Sequence, residues 1–492
     1  MKTKNPAYVS LTLAACLASL FAPLTASAQQ SQATASEGAS EPLTFDEMLV
    51  LDGKSYARIY GVGLAEAMRR VLVMNDTAEP VETLSSEFAG QIGGLYFTHG
   101  SDFGLKMRLT GREKKASRRL VASSTLKEQR QAARQAQKLA DRDAAKAALK
   151  TARRNTLGIS DSEITSAEAV SSQQIETAVQ FLADAPADRD TLLRAVSAKT
   201  SEVQSRVPSV DSVAYDERRG SVVLTVVGTA GSVDSAAQEA LAAMFPVPVA
   251  YQYVPKHMGV TAATGGTPNY TLQDSPWCTN AFVGYASSTT TQPGLFSASH
   301  CQYSNNSSIA MRYKDTNGTT TMLGIDGNLK EWSTHGDMLF LTLASGLVPS
   351  SYFFADKGAA ARQLTGRRTM TTTNIKAGTT AGTMVCFYGR TTGPVSGQSC
   401  GEVVAKGVVI ALNPSEPMMT AGSGISYYVA VQGPSTTMKC QGGDSGAPWF
   451  ALSVAFGTMS RCAENWVNGG ADSYAYYTSM DAAYAKNYRL AY

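Results

Sequence analysis

A glycine-rich turn near the carboxyl end of the chain reads Cys440-Gln441-Gly442-Gly443-Asp444-Ser445-Gly446-Ala447-Pro448-Trp449. It places Ser445 between glycines and directly after a carboxylate. A serine hydroxyl becomes a nucleophile at neutral pH only when a base takes its proton and N–H groups stabilise the resulting oxyanion. Because glycine has no Cβ, Gly443 allows the backbone conformation in which its own N–H and that of Ser445 point into one oxyanion hole. The turn therefore predicts that Ser445 is a nucleophile.

The proton acceptor and the carboxylate that orients it have to come from other parts of the chain. Residues 296–301, FSASHC, end a short apolar run on His300, and the chain contains only four histidines. Residues 335–343, HGDMLFLTL, begin a second apolar run with Asp337, which would be buried with that strand. Taken singly, a core histidine, a charge at a strand edge and an ordinary turn would explain these residues. Together, in the order His300, Asp337, Ser445, they predict a catalytic triad.

In this order the three residues resemble the triad of the chymotrypsin-like serine proteases. The resemblance implies that His300 is first general base and then general acid, that Asp337 orients its imidazole, and that Ser445 attacks the carbonyl carbon. It also implies protein or peptide substrates and no cofactor. A lipid- or ester-hydrolysing enzyme would have another triad order. The remaining alternative is a catalytically silent secreted binding protein that keeps the same fold.

Six of the seven cysteines lie in the C-terminal half of the sequence. Sequence alone leaves their connectivity open. The chain resembles the alpha-lytic protease and streptogrisin branch of bacterial proteases, notably in the segment VCFYGRTTG at 385–393. That resemblance implies three disulfides between nearest neighbours, namely Cys278–Cys301, Cys386–Cys400 and Cys440–Cys462. Because no Cys-x-x-Cys motif is present, a zinc site is disfavoured and we expect no metal.

Two departures from this branch affect the expected site. The branch usually has an arginine after the first hairpin cysteine, where this chain has Phe387. In the relatives that arginine pairs with the aspartate before the nucleophile. Asp444 therefore needs another partner, and we expect the Arg390 guanidinium or, failing that, the Tyr388 hydroxyl.

The second departure lies in GTMSRC at 457–462, where relatives place two glycines after the serine. Glycines at such a strand edge let the substrate backbone approach and pair with it. Here Arg461 and Cys462 follow Ser460, so the pocket wall differs and cleavage specificity cannot be taken from the relatives. The residues we assign to substrate binding are Gly442, Met459, Ser460 and Arg461.

The N-terminus of the sequence is typical of a signal peptide. Lys2 and Lys4 precede an apolar run, which ends before Ala26-Ser27-Ala28. We predict cleavage after Ala28 and secretion to the extracellular space, or the periplasm in transit, where disulfides form. A lipoprotein box ending at Cys16 is the disfavoured alternative, because the apolar run continues past it. No later segment is apolar enough to predict a membrane span.

Composition changes near residue 260 of the 492 residues. Residues 29–259 are rich in Ala, Glu, Gln, Lys and Arg and contain no cysteine. We predict an α+β propiece there, with two α/β lobes and a charged helical stretch at about 112–155. Residues 260–492 are rich in Gly, Ser and Thr, with short strand-like runs. We predict an all-β, trypsin-like serine protease domain of two six-stranded antiparallel barrels.

Partners follow from the same patterns. The net charge of +3 is small, and acidic residues and alanines interrupt the charged stretch, so nucleic acid is not an expected partner. We expect a monomeric, self-processing precursor whose propiece assists folding and then inhibits the product. Inhibition is expected from its last segment, Val247–Pro255, lying extended in the substrate cleft.

Overall fold

The computed structural model describes residues 42–111, 115–140, 144–258, 267–270, 276–286, 292–304, 307–308, 311–314, 320–343, 351–357, 360–370, 379–413 and 416–492. These residues belong to one unit, Ser40–Tyr492. The predicted signal peptide at 1–28, Cys16 and the predicted boundary between residues 259 and 260 lie outside them. No helix among the described residues is both long and apolar enough to cross a membrane.

Between residues 42 and 185, the described parts of the chain contain six helices and a four-stranded sheet. The helices are α1 Phe45–Tyr60, α2 Leu64–Asp76, α3 Ala78–Glu87, α4 Ser124–Ala140, α5 Ala144–Leu157 and α6 Asp161–Ser171. The strands are β1 Ile92–Thr98, β2 Gly104–Thr110, β3 Arg118–Val121 and β4 Glu176–Ala185, in the order β1-β2-β4-β3. A capping box starts α1, because Thr44 and Glu47 each accept the other's backbone N–H. The stretch predicted as helical at about 112–155 contains β3 as well as α4 and α5.

A smaller lobe follows. Its elements are α7 Arg189–Arg206, β5 Val210–Asp216, β6 Ser221–Val227, α8 Ser235–Ala242 and β7 Val249–Val254. β5 and β6 form an antiparallel hairpin, and β7 pairs with β6 in parallel from Val222↔Val249 to Val227↔Val254. β6 is therefore the strand partner of Val249–Val254, and the placement of Val247–Pro255 in the substrate cleft stays a prediction.

The described residues of the C-terminal half contain nineteen further strands. They are β8 Thr267–Tyr270, β9 Pro276–Asn280, β10 Val283–Tyr285, β11 Pro293–Ser297, β12 Tyr303–Ser304, β13 Ser307–Ser308, β14 Met311–Lys314, β15 Thr320–Ser333, β16 Gly336–Thr342, β17 Tyr352–Asp356, β18 Ala360–Gln363, β19 Gly366–Arg367, β20 Met384–Phe387, β21 Ser399–Ile410, β22 Tyr428–Pro434, β23 Pro448–Ala451, β24 Val454–Val467, β25 Asp472–Ser479 and β26 Arg489–Leu490. Two short helices, α9 Gly393–Ser396 and α10 Asp481–Ala485, complete this half with 3-10 turns at Ser299–Gln302 and Asn468–Gly470.

Six of these strands close into an antiparallel ring, because β20 pairs with both β21 and β23. The ring continues from β21 through β22, β25 and β24 to β23. Alternate residues of a strand point to one face, so Val429 and Val431 on β22 enter the same core as Trp449 and Tyr477. This ring has the strand number predicted for one barrel.

The other large sheet runs β26-β10-β11-β16-β15-β14-β8-β9. Over the part of the chain that the structure describes, no pairing closes this sheet, so the two-barrel arrangement stays a prediction. The two halves of the chain share one sheet instead. β5 pairs antiparallel with β21, with Val213 opposite Val409 and Ser212 opposite Ile410, and so extends the sheet of the closed ring.

Candidate active site

The three predicted triad residues lie on elements that meet between the two large sheets. His300 is in the 3-10 turn that follows β11, and Asp337 is the second residue of β16. β11 and β16 are paired neighbours, with Ser297 opposite Leu339, so the end of one strand lies beside the start of the other. Ser445 lies in the loop between β22 and β23. The backbone N–H of Thr279 donates to the Ser445 carbonyl at 2.7 Å and ties this loop to β9.

The side chains form one hydrogen-bonded row. His300 Nδ1 lies 2.5 Å from Asp337 Oδ2, and His300 Nε2 lies 2.8 Å from Ser445 Oγ. The backbone N–H of His300 also donates to Asp337 Oδ1 at 3.0 Å, which fixes the ring relative to the carboxylate. All three residues are buried, at 3% exposure for His300 and 0% for the other two. The structure thus brings together the three residues that the sequence singles out.

The charge state of Asp337 decides which histidine nitrogen carries the proton. Burial by itself would raise the pKa of Asp337, but the His300 imidazole and the hydrogen bonds outweigh burial, and the pKa is lowered. One of these bonds comes from Ser460, whose Oγ donates to Asp337 Oδ2 at 2.6 Å. An ionised carboxylate only accepts, so Nδ1 must donate to it. The Nε2 lone pair then faces Ser445 and can take its proton.

Glycines shape the turn around Ser445. Gly443 has φ +113° and Gly446 has φ +82°, conformations that residues with a Cβ rarely adopt. A Cβ at Gly446 would lie 2.1 Å from the Thr279 carbonyl oxygen, so this position also requires close approach. The N–H of Gly443 bonds to none of the residues that the structure describes. It is therefore available for an acceptor on a ligand.

Asp444, next to the nucleophile, is held by backbone donors. Its carboxylate accepts from the N–H groups of Gln441 at 3.0 Å, Thr391 at 3.1 Å and Thr392 at 3.3 Å, and from the Thr392 hydroxyl at 2.8 Å. The prediction that Arg390 or Tyr388 binds Asp444 is wrong: within the described residues, neither bonds this carboxylate. The turn after β20 brings main-chain donors to the site that an arginine would have filled.

The four residues assigned to substrate binding have different surroundings. Gly442 is exposed, Met459 is buried in the core of the closed ring, and Ser460 donates to Asp337 as described. Ser460 therefore supports the triad directly, a role that the sequence analysis did not assign to it.

Arg461 is buried and paired. Its Nη2 lies 2.6 Å from Glu416 Oε2, and its Nη1 donates to the Met258 carbonyl at 3.1 Å. Burial would lower the pKa of Arg461, but Glu416 outweighs this effect and the pKa is raised, so the guanidinium stays charged. The sequence analysis missed Glu416. The only signal was that an arginine following Ser460 in a buried strand needs an acidic partner.

Other parts of the molecule offer less as a site. A cavity of about 910 Å³ lies between the N-terminal helices and residues 363–368, and no triad residue lines it. Arg130 and Arg134 in its lining are paired with Asp76 and Asp46. Near the triad, Cys278, Cys301 and His300 lie close together, but the two sulfur atoms are joined in a disulfide and are not thiolate ligands for a metal.

Three cysteine pairs lie at bonding distance. They are Cys278–Cys301, Cys386–Cys400 and Cys440–Cys462. These are the nearest-neighbour pairs that the resemblance implies. The first brackets His300 and the third joins the Ser445 loop to β24, so covalent links hold two sides of the site.

Comparison with known proteins gives a limited likeness. No protein-family model and no curated protein matched the chain. Among solved structures, the chain is similar to Thermobifida fusca protease A, with 17% identity, a TM-score of 0.32 and coverage of 46% of this chain and 97% of that one. A glutamic acid-specific serine protease is 20% identical, with a TM-score of 0.33 and coverage of 46% of this chain and 100% of that one. Nocardiopsis protease is 16% identical, with a TM-score of 0.32 and coverage of 47% of this chain and 99% of that one. These serine proteases match about half of this chain, and at such identities and TM-scores they assign no role to its residues.

Proposed function

We propose that this protein is a secreted serine endopeptidase, made as a self-processing precursor, that hydrolyses peptide bonds through an acyl-enzyme. The observation that carries the proposal is the row Ser445 Oγ, His300 Nε2, His300 Nδ1 and Asp337 Oδ2, with successive bonds of 2.8 Å and 2.5 Å across two sheets. Such a row combines a nucleophile, a base within hydrogen-bond reach and a group that orients the base.

Each residue has one chemical task. Ser445 Oγ attacks the peptide carbonyl while His300 Nε2 takes its proton, and ionised Asp337 stabilises the imidazolium that forms. The N–H groups of Gly443 and Ser445 donate to the oxyanion. His300 then gives the proton to the leaving amine, and in the second half-reaction it activates the water that hydrolyses the acyl-enzyme. The Ser460 hydroxyl keeps the carboxylate in place throughout.

Residues 29–259 are proposed to be the propiece. The pairing of β5 with β21 supports this role, because the N-terminal half thereby covers a strand edge of the closed ring. The bond from Arg461 to the Met258 carbonyl supports it further. It joins the last described residue of the N-terminal half to the residue that follows Ser460. A signal peptide at residues 1–28 and three disulfides agree with secretion.

The test combines labelling with one substitution. We expect a fluorophosphonate probe to label the protein at Ser445, because the probe reacts with activated serines. Ser445→Ala should abolish labelling, lower kcat/KM on peptides by about 10⁴-fold or more, and leave the secreted protein at full length minus its leader. Mass spectrometry of the medium from a host without other secreted proteases measures the last effect.

The matched control is Ser453→Ala, which removes a hydroxyl bonded to Thr365 rather than to the triad. This variant should be labelled and processed like the parent. A folded parent protein that is not labelled would instead support the catalytically silent binding protein. Normal release of the C-terminal fragment from Ser445→Ala would refute self-processing.

A further inference from the structure

The last described residues of the N-terminal half approach the triad through their main chain. Trp466 Nε1 donates to the Lys256 carbonyl at 2.9 Å, and Arg461 Nη1 donates to the Met258 carbonyl at 3.1 Å. Both donors are side chains of β24, and the two carbonyls belong to alternate residues. β24 therefore holds the main chain of residues 256–258 at two points.

Of the two donors, Arg461 is the one close to the hydrogen-bonded side chains of Asp337, His300 and Ser445. Arg461 follows Ser460, whose hydroxyl donates to Asp337. Main-chain bonds to Gly446 and Ala447 extend the β23 side of β24 as far as Met459, so beyond that residue the described strands pair with β24 on its β25 side alone. An unpaired strand edge beside a nucleophile is where an extended peptide can bind.

The Met258 side chain fills an apolar site. It is 1% exposed and belongs to a cluster that includes Trp332, Met419 and Trp466. Trp332 is the cross-strand neighbour of Asp337, and its ring centroid lies 6.1 Å from that of His300. The apolar cluster that contains Met258 therefore extends, through Trp332, to the triad histidine.

The charges around this site are balanced by the C-terminal half alone. Arg461 pairs with Glu416, which also belongs to that half. Another acid that acts on Arg461 is Asp211, which accepts from the Met258 N–H at 3.0 Å and from His257 and lies in the N-terminal half. If residues up to about 258 leave, Asp211 leaves with them and a neutral Arg461–Glu416 pair remains. A neutral pair in an apolar site does not favour a charged side chain.

We propose that the position of Met258 is a substrate subsite that takes a long apolar side chain from the acyl side of the cleaved bond, with Arg461 as the donor to that residue's main-chain carbonyl. The inference rests on the proposed function, because the subsite is emptied only when the precursor is processed. It assigns a preference to the enzyme and a specificity-determining role to Arg461.

A peptide of ten residues, Val249–Met258, tests the subsite on the enzyme released by processing. We expect competitive inhibition, because Lys256 and Met258 bring the contacts with β24. Met258→Asp in the peptide should raise the inhibition constant by about tenfold or more. Tyr251→Ala in the same peptide is the matched control, since Tyr251 packs against the N-terminal lobe, and it should change the constant less than about threefold.

Cleavage of a random peptide library gives the direct readout. Methionine and leucine should be enriched over aspartate, glutamate and lysine at one fixed position before the cleaved bond. Arg461→Lys loses the forked geometry that binds Glu416 and a carbonyl together. It should raise KM for the preferred peptides by about tenfold with kcat nearly unchanged. Arg489→Lys is the control with the same chemical change, since Arg489 bonds its own terminal segment.

The outcomes separate the two proposals. An enzyme that is labelled at Ser445 but shows no apolar enrichment, or is inhibited equally by the parent peptide and its Met258→Asp variant, overturns the subsite and leaves the proposed function standing. A protein in which Ser445 is not labelled overturns both.

Discussion

The buried carboxylate of Asp444, beside the nucleophile, is bonded by uncharged donors, and none of the described cationic side chains bonds it. Three N–H groups and one hydroxyl surround Asp444, which is 0% exposed. Such donors carry only partial charges, and they do not offset the loss of hydration. Burial therefore dominates and raises the pKa of Asp444 to about 6, against an ordinary value of 3.8. The ionised form of Asp444 consequently opposes folding at neutral pH.

This gives the first stability prediction. Because the folded-state pKa of Asp444 is raised, its contribution to stability is fully present below pH 3.8 and is lost as the pH rises to about 6. An asparagine side chain does not titrate, so Asp444→Asn removes the pH dependence of stability that arises at this position. In a Ser445→Ala background, which prevents autolysis, the unfolding free energy of the Asn variant relative to its parent should rise by roughly 2–3 kcal/mol between pH 3.5 and pH 7. Urea denaturation at the two pH values measures the change.

The control for this experiment is Asp161→Asn, which alters an exposed carboxylate at the start of α6. Its effect on the unfolding free energy should be similar at both pH values. A relative stability of Asp444→Asn that stays constant or falls with rising pH would show that the four donors do offset burial, and that Asp444 is ionised at little cost.

The site residues differ in how far the sequence could predict them. His300, Asp337 and Ser445 were predictable because their chemistry requires those residue types and each lies in a distinctive local segment. Glu416 was not, because nothing in its own segment marks it as the partner of Arg461. For Asp444 the sequence indicated that a partner was needed, but it could not show that the turn at Thr391 and Thr392 would supply backbone donors.

At the scale of elements, a buried ion pair between Glu217 and Lys406 connects the N-terminal half of the chain to the C-terminal half. Lys406 Nζ on β21 lies 2.8 Å from Glu217 Oε1, and both side chains are almost fully buried. Glu217 lies in the turn after β5 and also accepts from the Leu95 N–H on β1 at 2.8 Å. Burial would raise the pKa of Glu217, but Lys406 outweighs burial and the pKa is lowered. One carboxylate thus links both N-terminal lobes to β21.

Breaking this pair should weaken binding between the halves. Removing one partner of a buried ion pair leaves the other charge uncompensated and costs about 3–5 kcal/mol. We expect separately made residues 29–258 to inhibit the processed enzyme, and Glu217→Gln to raise the inhibition constant by about 100-fold or more. Glu202→Gln removes an exposed pair with Arg206 and should change it less than about fivefold. Equal effects of the two substitutions would show that Glu217 is not important for binding.

Local patterns made some elements predictable. Apolar residues alternate at 94–110 and 212–227, a pattern typical of hairpins, and these segments form β1–β2 and β5–β6. The short strand β3 was missed because Arg118 and Arg119 made its segment look like part of a charged helix. The pairing of β5 with β21 could not be predicted, since it joins strands almost two hundred residues apart and depends on which edge each sheet leaves open.

In the C-terminal half of the molecule, many of the strands that pair are far apart in the sequence. The closed ring begins at β20, which pairs with β23 across the intervening β21 and β22, and it is complete only when β24 and β25 connect β23 to β22. Every such pairing requires closure of a loop before its contacts contribute. β20 pairs with the first residues of β21, and β5 pairs with Lys406–Ile410 farther along the same strand. Under the proposed propiece role, residues 29–258 would act there as a template for folding of the C-terminal half.

The final prediction follows from this template. Residues 260–492, refolded under oxidising conditions, should yield at least about tenfold more active enzyme when residues 29–258 are present during refolding and are removed before the assay, because a bound template lowers the barrier created by non-local pairing. Activity should persist after the template is removed, since the product is then protected by its unfolding barrier. Residues 29–258 carrying Glu217→Gln are the matched control and should help much less, because the contact with Lys406 is lost. Equal recovery with and without the added half would refute the folding role, whereas equal help from the parent and the Glu217 variant would show that the template acts through another contact.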